Sequence, residues 1–540
     1  MAANVALAVV LILGMGFLQP PAGESRGTPE ARAAFEAGRT ASRSGDLAAA
    51  ARHYRRAVEL DPLFVDAHDE YMTATTQAAF AYDPQKRAGD EAARKRAEAA
   101  LKAEYEKWAR AQPGNAVYQW ALSKLAGKDW NAAEEYLKKA IAANPSFARS
   151  YQDLSLIAEL RGDNTQRLEY LKRAADLNPG DPSYFFYYAS AMKSVDPEGS
   201  RRLLQEVATK YPATERGAQG LYWAAYEAPD VAGKRAIYER LRREFPPEKF
   251  SWSESGMSDY FDVLIGVDPS QASALAADMI GRITAKSEQK TWQDQAAYAA
   301  ALAESAALRA KGDAAAAVKR LDGVKTLRAH MDQAPLAIAR AAALEAAGQV
   351  QAAYDGLAEV VAKTPSDALI EALTATGGPL KKSPADVAAD VLKLREAGAK
   401  PAPAFFLPDY PDRTMVSLAE YRGKVVLINF WYPSCGPCRG EFPTLQRVLD
   451  KYKSRGFEVL SLNVLPEEHA FVLPYLQKNR FTFRPLETTT EWAEKTYGAR
   501  GFPTNVLVDG QGRIIFKPGI IRSPREQRTF ELQVEALLGR

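Results

Sequence analysis

Cysteine is the scarcest feature of this 540-residue chain: two residues, Cys435 and Cys438, three positions apart. That excludes a structural disulfide framework and a four-thiolate zinc site. Histidine is nearly as rare. Of His53, His68, His330 and His469, only His469 shares the last quarter of the chain with the cysteines, so a CxxC zinc half-site lacks its other half and no metal is expected. No basic run occurs and the net charge is only +3, which gives no reason to expect nucleic acid as a partner. Phosphate-binding loops, nucleophile-elbow serines and zincin histidine motifs are absent too, and no cofactor is expected.

Long apolar runs are also missing, with one exception at the start. Residues 5–18 form an apolar stretch of 14 residues, shorter than the roughly 20 that span a bilayer. It suits the core of a signal peptide, although no Lys or Arg precedes it and the small-residue cleavage pattern is poor. Residues 1–23 are therefore expected to direct export, either cleaved or kept as an anchor; a buried helix is the competing reading.

From about 28 to 370 the chain is Ala-rich and helical in pattern. Asp46, Tyr54, Ala57 and Pro62 recur 83 residues later as Asp129, Leu137, Ala140 and Pro145. The set returns after a further 34 residues at Asp163, Leu171, Ala174 and Pro179. It returns again at Asp196, Leu204, Val207 and Pro212, and at Asp230, Tyr238, Leu241 and Pro246. The period lapses between 247 and 290, and longer helices are expected around 66–107. A Gly/Asp turn, a small residue and a closing Pro at this period resemble the tetratricopeptide repeat, a stack of helix pairs. Such a solenoid would bind a protein partner; a spacer or dimerisation module is the alternative. Residues 371–399 read as a linker with a short helix over 385–397.

Beyond Phe405 strands alternate with helices: 425–430, 457–464 and 505–508 read as buried strands, and the chain becomes α/β. Lys424-Val-Val-Leu-Ile-Asn-Phe-Trp431 runs into Cys435-Gly-Pro-Cys438, and an amphipathic helix follows. Cys435 then sits at a helix amino terminus, where unpaired N–H groups and the helix dipole favour the thiolate. Cys435 is expected to be the nucleophile that forms a mixed disulfide, and Cys438 the thiol that resolves it.

Residues 400–540 resemble the extracytoplasmic thioredoxin-like family that includes TlpA and ResA. The resemblance rests on Pro403-Ala-Phe-Phe-Leu-Pro-Asp409, the strand ending at Trp431, Cys435-Gly-Pro-Cys-Arg-Gly-Glu-Phe-Pro443, and Gly501-Phe-Pro-Thr504. It implies a thioredoxin-like fold following the all-α solenoid, and thiol–disulfide oxidoreductase activity. Pro503 matches the family's cis-proline, whose preceding backbone pairs with substrate, and Pro443 matches a proline that kinks the active-site helix. Trp431, Gly436, Pro437, Phe502 and Pro503 are the expected substrate-binding residues. Three positions depart from the pattern: Ser434 replaces a Trp, Phe502 is bulkier than usual, and Asn429 stands where cytoplasmic thioredoxins keep a buried Asp. Glu467 and Glu468, after the next strand, are the candidate proton relay, against a reading as solvated cap carboxylates.

The expected function is reduction of protein disulfides in the bacterial periplasm or cell envelope. Its partners would be thiol or disulfide clients, an upstream membrane or periplasmic electron donor, and a protein bound by the repeats. A thiol peroxidase is an alternative, weakened because Tyr432 and Ile428 stand where that chemistry uses Thr and Pro. A repeat scaffold with an accessory redox domain is another.

Overall fold

The computed structural model describes residues 25–81, 89–327 and 332–539, so the expected export segment at 1–23 lies outside the described residues. The described chain divides into two compact units, within Met1–Ile157 plus Arg167–Phe185 and within Ala158–Gln166 plus Phe186–Arg540.

In the first unit, helices Pro29–Arg43, Leu47–Leu60, Val65–Phe80, Glu91–Ala111, Ala116–Leu125 and Trp130–Ala143 each pack on the next. The recurrent Gly/Asp positions account for the turns. Gly45 takes φ +83°, and Asp46 then caps the following helix by accepting from the Ala49 N–H at 2.8 Å. Gly38 allows close helix approach, since a Cβ there would stand 2.6 Å from the Tyr54 ring. Tyr54, Ala57, Tyr105, Trp120 and Leu137 form the core.

The second unit continues with helices from Pro197–Lys210 to Pro384–Gly398, again packed neighbour on neighbour. The lapse in period between 247 and 290 is not a break in the helices. Ser251–Ile265, Pro269–Arg282 and the 25-residue Lys286–Ala310 fill it, with Asp268 and Pro269 opening a helix where the Gly/Asp signal is lost. Within the stretch expected as a linker with a short helix, 371–399, that helix is present as Pro384–Gly398, and it is packed. Pro384 is the first residue of a helix capped by Ser383, and Val387 and Val391 pack in a core with Tyr354 and Leu357. Tyr354 donates its hydroxyl to Asp390 at 2.7 Å. Among the described residues, no helix is long and apolar enough to cross a membrane.

The same unit ends in an α/β domain. Its strands are β1 (Lys400–Pro401), β2 (Phe406–Pro408), β3 (Met415–Ser417), β4 (Val425–Trp431), β5 (Phe457–Asn463), β6 (Arg484–Glu487), β7 (Thr504–Val508) and β8 (Arg513–Phe516). Six of them form a mixed sheet in the order β1-β8-β7-β4-β5-β6, with β4–β5 and β5–β6 parallel and β4–β7 antiparallel. Every residue of β4 is buried, as expected of a central strand covered on both faces. Its side chains alternate. Val425, Leu427 and Trp431 join the core beneath helices Gly436–Tyr452 and Pro524–Leu538, whereas Val426, Ile428 and Phe430 pack on the opposite face with Tyr497.

Candidate active site

β4 ends at Trp431, and four residues later Cys435 becomes the N-cap of the active-site helix, Gly436–Tyr452. The Cys435 sulfur accepts from the Cys438 backbone N–H at 3.2 Å, so the helix amino terminus points a donor at it. Cys435 and Cys438 are joined in a disulfide. Cys435 is 4% exposed and Cys438 0%, so solvent reaches the pair through the first, and the next two residues, Gly436 and Pro437, are exposed.

The loop before Cys435 is tightly held. Ser434 donates its backbone N–H and its hydroxyl to the two oxygens of Glu468, at 2.8 and 2.7 Å. Pro433 accepts, through its carbonyl, from Arg439 Nη1. Glu468 is buried, and the structure places it on the residue preceding the first cysteine. Glu467 is exposed, and His469 is exposed with Nδ1 2.9 Å from the Pro466 carbonyl.

The carboxyl that sequence reasoning missed is Glu441. Fully buried, it accepts from Asn429 Nδ2 at 2.8 Å, from Asn505 Nδ2 at 3.1 Å and from the Ile521 N–H at 3.2 Å. Strand alternation explains the meeting. Asn429 lies between Leu427 and Trp431 on the face beneath the active-site helix, and Asn505 is its direct partner on β7. Burial pushes the Glu441 carboxyl up to about 7, against the pull of those three donors and of the Arg522 charge. The signal was present in the sequence: Glu441 stands three residues after Cys438 and four before Leu445, on the apolar stripe of the helix. A titratable group there needs partners, and Asn429 is one.

Trp431 corrects an expectation. Expected among the substrate-binding residues, it is fully buried, its ring 4.7 Å from Phe442 and 6.0 Å from Tyr475. As the last inward residue of β4, it belongs to the core. Phe502 is half-buried against the core that holds the cysteines, with its ring edge-on to Tyr432 at 5.8 Å. The Phe502–Pro503 peptide is cis, as the resemblance implies. Among the described residues no cluster of His, Cys, Asp and Glu is suited to hold a metal ion.

Known proteins are similar to this chain in both of its parts. The AhpC/TSA family model matches residues 399–517, and a tetratricopeptide-repeat model matches residues 31–62. The thiol-disulfide oxidoreductase ResA of Geobacillus thermodenitrificans (strain NG80-2) is 32% identical over 122 residues, covering 23% of this chain and 69% of that protein. The chain belongs to the ResA family of thiol–disulfide oxidoreductases. ResA of Bacillus thuringiensis subsp. konkukian (strain 97-27) is 31% identical over 116 residues, 22% of this chain, and the chain spans 66% of that relative's length. A solved thiol:disulfide interchange protein of the thioredoxin family from Chlorobium tepidum TLS is 29% identical, with 26% of this chain and 97% of that one covered and a TM-score of 0.23. The ResA matches cover less than a quarter of this chain. The helical repeats make up most of the rest.

Proposed function

We propose that the chain is an exported thiol–disulfide oxidoreductase that reduces protein disulfides through Cys435 and Cys438. One observation carries the reading: a Cys435–Cys438 disulfide at a helix amino terminus, with the Cys438 N–H on the Cys435 sulfur. In the reduced protein that donor and the helix dipole favour the Cys435 thiolate. The thiolate attacks one sulfur of a client disulfide; a mixed disulfide forms, and the client's other sulfur leaves as a thiolate and takes a proton. Cys438 then attacks the Cys435 sulfur, releasing the second client thiolate and leaving the protein disulfide seen here. Two electrons pass from the dithiol to the client, and an upstream dithiol donor restores the pair.

Cys438 is fully buried and must lose its proton away from the surface. Glu441 is one helical turn further on, on the same face, and equally buried. With its carboxyl near neutrality it is suited to take that proton and return it when the cycle reverses. Gly436, Pro437 and half-buried Phe502 form the client-binding rim in this reading, with Pro503 buried behind it, and the helical repeats recruit a protein partner. Export is supported by the 5–18 apolar run.

The test is trapping. In the full chain, Cys438→Ser should accumulate client proteins as mixed disulfides on Cys435, while Cys435→Ser accumulates none. A Cys438→Ser chain that emerges from an envelope extract without adducts refutes the exchange mechanism.

A further inference from the structure

The clamp on the active-site loop reaches into the helical repeats. Arg439 uses one terminal nitrogen, Nη1, on the Pro433 carbonyl; the other, Nη2, lies 3.0 Å from Glu159 Oε2. Glu159 belongs to the 158–166 segment, around the turn between repeat helices Ala148–Leu160 and Asn164–Leu177. That segment is compacted with the α/β domain in one unit. Lys478 pairs with Asp163 at 2.9 Å, and Asn164 donates to Asn479 at 2.8 Å. Gly162 approaches so closely that a Cβ there would meet Asn479 Nδ2 at 2.8 Å. The Arg439 and Glu159 side chains are only 7% and 19% exposed, so their attraction is poorly screened by solvent.

We propose that Glu159, a residue of the helical repeats, is a positioning residue for the thiol-exchange site. It aims the Arg439 guanidinium at Pro433 and offsets the positive charge that Arg439 places on that carbonyl, two residues before Cys435. The inference rests on the exchange reading above. A cation beside a thiol favours its ionisation, Cys435–SH giving Cys435–S⁻ and a proton to solvent. A carboxylate paired with that cation opposes the effect. Charged groups near this end of the helix include Glu441 on the helix itself, Glu468 from the segment before helix His469–Lys478, and Arg522 from the loop after β8. Glu468 is committed to Ser434, and Glu441 to Asn429 and Asn505. Arg522 stacks on Trp223 at 5.0 Å. Glu159 is thus the repeat residue that pairs directly with Arg439, and the repeats tune the acidity of the nucleophile.

The experiment uses the full chain. With Cys438→Ser as background, so that one thiol titrates, the ultraviolet absorbance of the Cys435 thiolate is followed against pH. Glu159→Gln should raise the ionisation constant by about threefold, since it removes a nearby negative charge that opposes the thiolate. Arg439→Gln should lower it, and adding Glu159→Gln to Arg439→Gln should change nothing more. With both cysteines intact, Glu159→Gln should shift the glutathione equilibrium toward the dithiol by a similar factor. Asp163→Asn, which neutralises a carboxylate on the same turn away from the loop, should leave the titration where it was. An unshifted Glu159→Gln, or an equal shift in Asp163→Asn, overturns the inference while thiol exchange by the parent chain still stands. A parent chain that does not exchange with glutathione brings down both.

Discussion

Asn429 on β4 donates its side-chain amide to Glu441 on the active-site helix at 2.8 Å, one layer beneath the disulfide-bearing turn. Asn505, opposite Asn429 on β7, donates to the same carboxylate, so two strands hold one helix side chain. The buried acid of this layer is carried by the helix and the strand supplies its amide partner. Because the amide does not titrate, the proton inventory of this layer belongs to Glu441.

Glu441 should make stability and exchange depend on pH near neutrality. Its folded value is raised from 4.5 to about 7, so between those values the folded chain keeps a proton that the unfolded chain has lost. Its contribution is therefore full below pH 4.5 and is lost as pH rises to 7, by about 3 kcal/mol. Glu441→Gln should flatten that slope in urea midpoints measured between about pH 5 and 8. It should also remove an inflection near neutrality from the rate at which Cys438 resolves a mixed disulfide, measured by stopped-flow. An inflection that survives the substitution would assign the proton to another group.

Ser434 and Glu468 should act as one unit. Glu468 is buried and accepts both donors of Ser434, and hydrogen bonds to a charged group contribute roughly 1.5–3 kcal/mol. Ser434→Ala should destabilise the oxidised chain by about 1–2 kcal/mol and slow insulin reduction, because the loop bearing Cys435 loses a tether. Glu468→Ala should cost more. Combining the two should cost little beyond Glu468→Ala alone, which a double-mutant cycle in urea would show. Simple additivity would mean that the two residues are not coupled.

His68, in the first unit, should set an acid limit on the repeats. Its Nε2 donates to the Pro62 carbonyl at 3.1 Å, which leaves Nδ1 to accept from the Tyr105 hydroxyl at 2.8 Å. Burial lowers its pKa from 6.5 to about 4. In that window the unfolded chain binds a proton that the folded chain refuses, so stability falls as pH falls, by about 3 kcal/mol in all. Hydrogen exchange of the Val65–Phe80 helix, corrected for intrinsic rates, should quicken across the window. In a His68→Phe chain, which has no proton to bind there, it should not.

The sequence by itself determined the two-part architecture, because both signals are local and periodic. Asp46, Asp129 and Asp230 each cap a helix where the period puts them, and the unbroken apolar run of β4 reads as a central strand. The CGPC at the strand's end fixed the chemistry, since two thiols three residues apart at a helix start can close on each other whatever surrounds them. What lies in contact across the chain was decided only by tertiary structure. Glu441 looked like one more polar helix residue until the register of β4 on β7 brought Asn429 and Asn505 to it. Trp431 stood among the expected substrate-binding residues, and the pleat turns it into the core. The short helix expected over 385–397 is there as Pro384–Gly398; what the sequence did not show is that Val387 and Val391 pack it into a core with Tyr354 and Leu357. Glu159 and Arg439 stand 280 positions apart, and no spacing rule reaches that far. The ion pair exists because the fold packs a repeat turn against the active-site helix.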